Sequence, residues 1–138
     1  TQQTVTDRSI PTSIVVFGGT GDLASRMLFP ALVDLYAQNY LGNNVTIFSF
    51  ALSGFTTGEF RSMLAANLAV KRPEFKGEII NSFLDQVQYI HGSFAQIADF
   101  EILKQEIDAR DGGVCSHKLF YLSAPPSFFD DIFNIVIL

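Results

Sequence analysis

Ile14-Val15-Val16-Phe17-Gly18-Gly19-Thr20-Gly21-Asp22-Leu23-Ala24 is the stretch whose reading decides the fold. Three of its four leading residues are β-branched, the composition of a strand. The glycines that follow demand a tight turn, and an amphipathic segment begins at once. Strand, turn and helix in that order aim backbone N–H groups and the positive end of a helix dipole at whatever lies above the turn. A phosphate is the favoured occupant. The spacing Gly18-x-x-Gly21-x-x-Ala24 is a close variant of the dinucleotide fingerprint. Gly18 permits a sharp exit from the strand, Gly21 lets the backbone approach a pyrophosphate, and small Ala24 lets the helix lie close to the sheet. The plainer alternative is a glycine-rich turn that binds nothing. Its position between a clear strand and a clear helix favours the nucleotide.

Outward from that stretch the alternation repeats. Ser13 to Gly18 reads as a strand apolar on both faces, as in a parallel sheet covered on two sides. The helix from Asp22 places Leu28, Leu32 and Leu35 at i, i+4 and i+7, a stripe expected to face the sheet. Pro30 falls within it; lacking an N–H and crowding the preceding turn, it should kink or restart the helix. Asp22 stands where a carboxylate is expected to cap free N–H groups, a role favoured over phosphate contact because like charges repel. Asn43-Asn44 marks a turn and Val45 to Ala51 a second strand. Thr56-x-x-Glu59 has the spacing of a capping box, and Phe60, Met63, Leu64 and Leu68 form the core stripe of the helix behind it. Lys71-Arg72-Pro73 ends that helix, and the basic pair reads as a solvated terminus.

Phe75, Ile79 and Phe83 mark a further helix and Val87 to His91 a third strand. Asp99 to Ala109 is a helix carrying Phe100, Leu103 and Ile107, and Lys118 to Ser123 a fourth strand. Pro125-Pro126-Ser127 then opens a last helix, with proline where it is tolerated. Strands alternating with helices predict an α/β fold, a Rossmann-like doubly wound parallel sheet that is partial in extent. Residues 1–12 are expected to form a flexible leader and residues 13–138 one NAD(P)-binding unit, truncated at its C-terminal side.

Composition narrows the function classes. The 138 residues, 48% hydrophobic with 14 phenylalanines, suffice for one packed core. A net charge of −5 argues against a nucleic-acid surface, which needs clustered Lys and Arg. No apolar run approaches the ~20 residues of a membrane span, and the polar start Thr1 to Asp7 lacks the character of a signal peptide. The single cysteine, Cys115, excludes an internal disulfide and suits a reducing compartment, so the cytoplasm is expected. Neither His nor Asp is placed by sequence to activate Cys115, which reads as incidental. No metal-ligand spacing occurs.

Gly18 to Ala24, followed by Phe29-Pro30-Ala31-Leu32 and Leu35-Tyr36, resembles the opening of glucose-6-phosphate dehydrogenase. That family begins with a G-G/A-S/T-G-D-L-A turn and a helix reading Y/F-P-x-L/V/I-x-x-L-Y/F. Tyr89-Ile90-His91-Gly92-Ser93-Phe94 resembles its Y-x-x-G-x-Y/F stretch. Phe120-Tyr121-Leu122-Ser123-Ala124-Pro125-Pro126-Ser127-Phe128-Phe129 resembles its F-Y-L-A-x-P-P-x-x-F/Y segment. The motifs run in order over nearly the whole chain. The resemblance implies oxidation of glucose 6-phosphate to the lactone with NADP, NAD being possible, in the pentose phosphate pathway and by a homo-oligomeric parent. It implies that Gly18, Gly19, Thr20, Gly21, Asp22, Leu23 and Ala24 form the pyrophosphate cradle. Ser123, Ala124 and Pro125 would border the nicotinamide.

The family continues for several hundred residues. It carries an E-K-P-F-G lysine, an R-I-D-H-Y-L-G-K phosphate grip and a later general-base histidine. None of these occurs here, and the chain ends on Ile135-Val136-Ile137-Leu138. A fragment is expected, one that needs the remainder to hold glucose 6-phosphate. No catalytic residue is assigned: His117 is expected at a strand start facing solvent, and His91 at a strand end.

Two positions depart from the family pattern. Met27 stands where a basic triplet ends in lysine, and Arg26 beside it points about 100° away around a helix. Leu52, in Phe50-Ala51-Leu52-Ser53, stands where the family has arginine after the second strand. Leucine neither pairs with a 2′-phosphate nor hydrogen-bonds a 2′-hydroxyl, so Ser53 is the polar contact left for the ribose. These departures keep open a non-catalytic binding module of the same fold. A short-chain reductase would need Tyr-x-x-x-Lys, and none of Tyr36, Tyr40, Tyr89 or Tyr121 has lysine four residues on.

Overall fold

The computed structural model of the chain describes residues 11–41, 44–93, 96–112 and 117–122. The strands are β1 (Thr12–Phe17), β2 (Val45–Ala51), β3 (Val87–His91) and β4 (His117–Leu122), and the order across the sheet is β3-β2-β1-β4. Every pairing is parallel, with Phe17 opposite both Phe50 and Leu122, and Ala51 opposite His91. Parallel neighbours need long crossovers, and the helices supply them: α1 (Phe29–Ala37), α2 (Thr57–Lys71), α3 (Gly77–Leu84) and α4 (Ile97–Asp111). This is the doubly wound α/β sheet that the alternation predicts. β2 and β3 have the expected bounds; β1 and β4 begin one residue early, and α4 runs two residues further at each end.

The strands' alternation sorts the core into two layers. Ile14, Val16, Ile47, Val87 and Tyr89 face Phe29, Leu32, Phe60, Leu64, Leu68 and Phe83 from the first three helices. Val15, Phe17, Phe48, Phe50 and Ile90 face Phe100, Leu103 and Ile107 of α4. The second layer is largely aromatic, with Phe17 5.8 Å from Phe100 and 5.9 Å from Phe50. Each aromatic buried this completely contributes about 1.5–3 kcal/mol.

Four expectations about side chains are corrected. A π-helical turn over Ala24–Leu28 leads into α1, and Phe29 N–H donates to Ala24 O. Pro30 therefore sits in the first turn of α1, where its missing N–H is tolerated. That is the expected restart, and the residue it inserts rotates the helix. Leu32 is buried and Leu28 packs against the core as expected, Phe29 and Val33 join them, and Leu35 is instead left 39% exposed. Met63 likewise turns outward, 45% exposed, so the α2 stripe is Phe60, Leu64 and Leu68. Arg72 is no solvated terminus: Nε and Nη2 lie 2.6 and 2.8 Å from the two Asp34 carboxylate oxygens, joining α2 to α1. The hydrogen bond to Asp34 raises the Arg72 pKa against a smaller desolvation effect. The fourth correction concerns Asp22, which makes no capping bond; its carboxylate accepts from Arg26 Nε at 3.1 Å.

The capping box at Thr56 is present as expected. Thr56 N–H donates to Glu59 Oε1 at 2.9 Å and Glu59 N–H donates to Thr56 Oγ1 at 3.1 Å. The expected leader through residue 10, Asn43, Phe94, Cys115, the segment Ser123-Ala124-Pro125 and the last helix lie outside the described residues.

Candidate functional site

The strand order places the topological switch point between β1 and β4, since the chain steps from β1 through β2 to β3 and then crosses to the far side of β1. Doubly wound sheets bind ligands at the carboxyl ends of their strands at such a point. The turn after β1 stands there. Gly18 has φ 85°, a left-handed conformation that glycine adopts without a Cβ clash, and its N–H donates to Phe50 O at 2.8 Å. Gly21 N–H closes the turn on Gly18 O at 2.9 Å, and Ser25 N–H follows onto Gly21 O.

Gly19 is tightly enclosed. A Cβ on it would stand 1.7 Å from Ser49 Oγ, so the turn lies directly on β2. Ser49 is fully buried, and its Oγ has no hydrogen-bond partner among the described residues. The N–H groups of Gly19 and Thr20 are used in no turn or ladder bond among the described residues, and the helix starts just beyond them. Ala24 is fully buried in the layer with Ile14 and Val16, as a small residue in close helix–sheet contact must be. Leu23 and Asp22 are exposed, and pairing to Arg26 partly neutralises the Asp22 carboxylate. A turn with free backbone donors at a helix start fits a pyrophosphate, for which the acceptor oxygens come from the ligand.

The loop after β2 borders the same end of the sheet. Thr20 Oγ1 and Ser53 Oγ are 3.5 Å apart, too long for a strong hydrogen bond and so available to a third polar group. Leu52 is 67% exposed and Met27 57%, so neither departure from the family pattern is absorbed into the core. The loop is held from beneath by Tyr89. Its single hydroxyl proton is shared between Ser53 O, the nearer, and Ala51 O at 3.3 Å, and its ring stacks on Phe60 at 4.9 Å. Burial pushes the Tyr89 phenol up from its ordinary 10.0, so it is a protonated donor at neutral pH. Thr57 Oγ1 takes the Tyr89 N–H at 3.1 Å and donates back to Tyr89 O at 3.3 Å.

Sequence reading assigned no role to Ser49 or Tyr89. The signals were a small polar residue within an apolar strand for Ser49, and for Tyr89 its place at the head of the Y-x-x-G-x-Y/F resemblance. The glycine three residues after Tyr89 also gains a reason. A Cβ on Gly92 would meet Phe50 Cζ at 2.6 Å and Asp99 Cβ at 2.9 Å. His91 is exposed at the end of β3 and His117 at the start of β4, as expected; parallel strands put them at opposite ends of the sheet.

Parallel order, switch point and a glycine turn with open donors define a dinucleotide-binding α/β domain. The chain belongs to the glucose-6-phosphate dehydrogenase family: the family model "Glucose-6-phosphate dehydrogenase, NAD binding domain" matches residues 15–136. It is 37% identical over 119 residues to the chloroplastic glucose-6-phosphate 1-dehydrogenase of Nicotiana tabacum, covering 85% of this chain and 20% of that enzyme. It is 34% identical over 131 residues to the cytoplasmic glucose-6-phosphate 1-dehydrogenase 5 of Arabidopsis thaliana, covering 90% of this chain and 25% of that enzyme.

Among solved structures, a glucose-6-phosphate dehydrogenase in complex with its substrate glucose-6-phosphate superposes with TM-score 0.81 and 30% identity, over 92% of this chain and 27% of that one. The enzyme from Mycobacterium avium gives 0.80 and 25%, over 92% and 26%. The chain thus spans about a quarter or less of the length of these curated relatives. The relatives include chloroplastic and cytoplasmic enzymes. Among the described residues no helix is long and apolar enough to cross a membrane.

Proposed function

We propose that residues 13–138 are the coenzyme-binding portion of a glucose-6-phosphate 1-dehydrogenase, the enzyme that oxidises glucose 6-phosphate to 6-phosphogluconolactone with NADP in the pentose phosphate pathway. The observation that carries this reading is the β1 turn, with Gly18 at φ 85° and open N–H groups at Gly19 and Thr20, beside the switch point of a family-matched sheet. Gly18 to Ala24 hold the pyrophosphate through backbone donors. Ser53 contacts the ribose, and Ser123, Ala124 and Pro125 border the nicotinamide. The bound coenzyme supplies the hydride acceptor; these residues supply binding and orientation. Glucose 6-phosphate and the general base belong to a longer parent, a homo-oligomer, and the single-cysteine composition favours the cytoplasm. Nucleic acid and membrane are not partners.

Calorimetry tests the coenzyme site. With Leu52 in the arginine position, NADP and NAD are expected to bind weakly, NADP being preferred by less than about 100-fold, about 2.7 kcal/mol. A larger preference would contradict the reading of Leu52. Exposed Met27 and Leu52 favour a second reading, a binding module of this fold without dehydrogenase chemistry. The parent protein decides between the two: growth of reduced-nicotinamide absorbance on adding glucose 6-phosphate selects the enzyme, and binding without turnover selects the module. The present chain alone is expected to show no turnover, since losing a general base alone costs about 10²- to 10⁴-fold.

A further inference from the structure

Leu52 leaves the ribose end of the site without the side chain that usually reads it, but the neighbouring strand brings another. His91 ends β3 directly opposite Ala51, and Gly92 N–H donates to Ala51 O at 2.9 Å. The two strand ends are therefore level. The imidazole lies beside the loop: a Cβ built on Gly54 would stand 3.8 Å from His91 Cε1. Both residues are exposed, and glycine at 54 leaves the space over the loop open. Tyr89, two residues before His91, holds the same loop through the Ser53 carbonyl, so the spacing between β3 and the loop is fixed.

The polar groups gathered here can donate, and neither carries a negative charge. An imidazole offers a ring N–H, and the Ser53 hydroxyl faces Thr20 across 3.5 Å. The carboxylates on the helix starts that follow β2 and β3 each hold a backbone N–H of their own loop with one oxygen. Glu59 Oε1 accepts from Thr56 N–H, and Asp99 Oδ2 accepts from Ser93 N–H at 2.7 Å. A ribose 2′-hydroxyl is ordinarily read by an acceptor carboxylate after the second strand, and a 2′-phosphate by donors. The loop Ala51 to Gly54 itself carries no carboxylate, the group that reads a 2′-hydroxyl at this place and would repel a 2′-phosphate, and the imidazole and hydroxyl beside it can both donate to phosphate oxygens.

We infer that His91, together with Ser53, reads the 2′-phosphate of the adenosine ribose in place of the side chain at position 52. The inference rests on the coenzyme reading above and adds the residue that sets its specificity. One strand contributes both functions, Tyr89 fixing the loop from below and His91 meeting the ligand from above.

The test is calorimetry on the intact protein with NADP and with NAD, comparing the native sequence with His91→Ala. Circular dichroism checks folding, which an exposed strand-end side chain should not affect. The expected result is NADP affinity reduced about ten-fold and NAD affinity changed by less than about two-fold, the scale of one hydrogen bond to a charged group. In a Leu52→Arg background the His91→Ala effect on NADP should shrink to within about two-fold, because the guanidinium takes over the same phosphate. Equal losses for the two dinucleotides would mean that His91 touches the adenine or the shared ribose, and would overturn the inference. So would no loss for either, or an undiminished effect beside Arg at position 52. Failure of the native protein to bind either dinucleotide would remove the coenzyme reading itself, and this inference with it.

Discussion

The turn after β1 and the loop after β2 border one end of one sheet, and under the coenzyme reading proposed above they would address the ligand by different means. In the turn the donors would be backbone N–H groups, and what Gly19 and Ala24 must do is stay small. At Ala51 to Gly54 recognition has to come from side chains, and the one at position 52 is an exposed leucine. A backbone cradle is fixed by packing: enlarging Gly19 collides with Ser49. A side chain in solvent packs against little, so replacing it leaves the fold intact and changes only what is recognised. The contrast shows how a chain could keep a glycine turn that resembles its family's while carrying a different side chain at position 52.

The largest expected effect tests the backbone half. Gly19→Val places its Cβ within 1.7 Å of Ser49 Oγ, so either the turn lifts from β2 or the strand yields. Overpacking of this kind typically costs about 1–3 kcal/mol. Thermal unfolding should show the loss, and calorimetry should show no measurable binding of either dinucleotide. The milder pair Gly19→Ala with Ser49→Gly removes the obstructing hydroxymethyl and should recover part of the binding that Gly19→Ala alone abolishes. Binding that survives Gly19→Val would break the comparison, because the cradle would then not depend on how closely the turn lies on β2.

Next in size is the side-chain half. Leu52→Arg adds a donor fork where the exposed leucine stands. A charge-assisted contact with a 2′-phosphate should tighten NADP about ten-fold, or about 1.4 kcal/mol, and leave NAD unchanged. Titrations of both dinucleotides against the variant would check it. Equal tightening would show that position 52 meets the pyrophosphate or the adenine instead, and would blur the division between turn and loop.

The same division marks where the sequence is legible. β2 is read to the residue because Val45 to Ala51 is a largely apolar run, as in a parallel strand buried on two faces, and β3 because Val87, Tyr89 and Ile90 lie between Asp85-Gln86 and Gly92. The tight turn after β1 is readable because glycine spacing is itself the backbone constraint. Illegible were consequences of tertiary placement. The Leu28-Leu32-Leu35 stripe holds at its first two members and fails at Leu35, because the buried face of α1 runs through Phe29, Leu32 and Val33. Arg72 looked like a solvated helix end because Asp34 lies on a different helix. Tyr89 matched a motif without a reason, since the carbonyl it holds belongs to a loop on another strand.

The smallest effect tests whether the loop's position, as distinct from its side chains, contributes to recognition. Tyr89→Phe keeps the ring stacked on Phe60 and removes the hydroxyl from Ser53 O and Ala51 O. The loss expected is about 1 kcal/mol of stability, one hydrogen bond's net worth. NADP and NAD should weaken together by a few-fold at most, because the whole loop shifts rather than one contact. The hydroxyl also leaves a pH signature. Burial raises the Tyr89 pKa above its ordinary 10.0, so folding favours the protonated phenol. That stabilisation is fully present below the unfolded-state value and is lost as pH rises through the folded-state value. Stability should therefore decline above about pH 10, where an unfolded tyrosine ionises. Tyr89→Phe should remove this residue's share of the decline. Unfolding midpoints of both proteins from neutral pH upward would check the slope. Parallel curves would show that the buried phenol is not linked to folding, and the loop's hold would then rest on the stacked ring and the Thr57 bonds to the Tyr89 backbone.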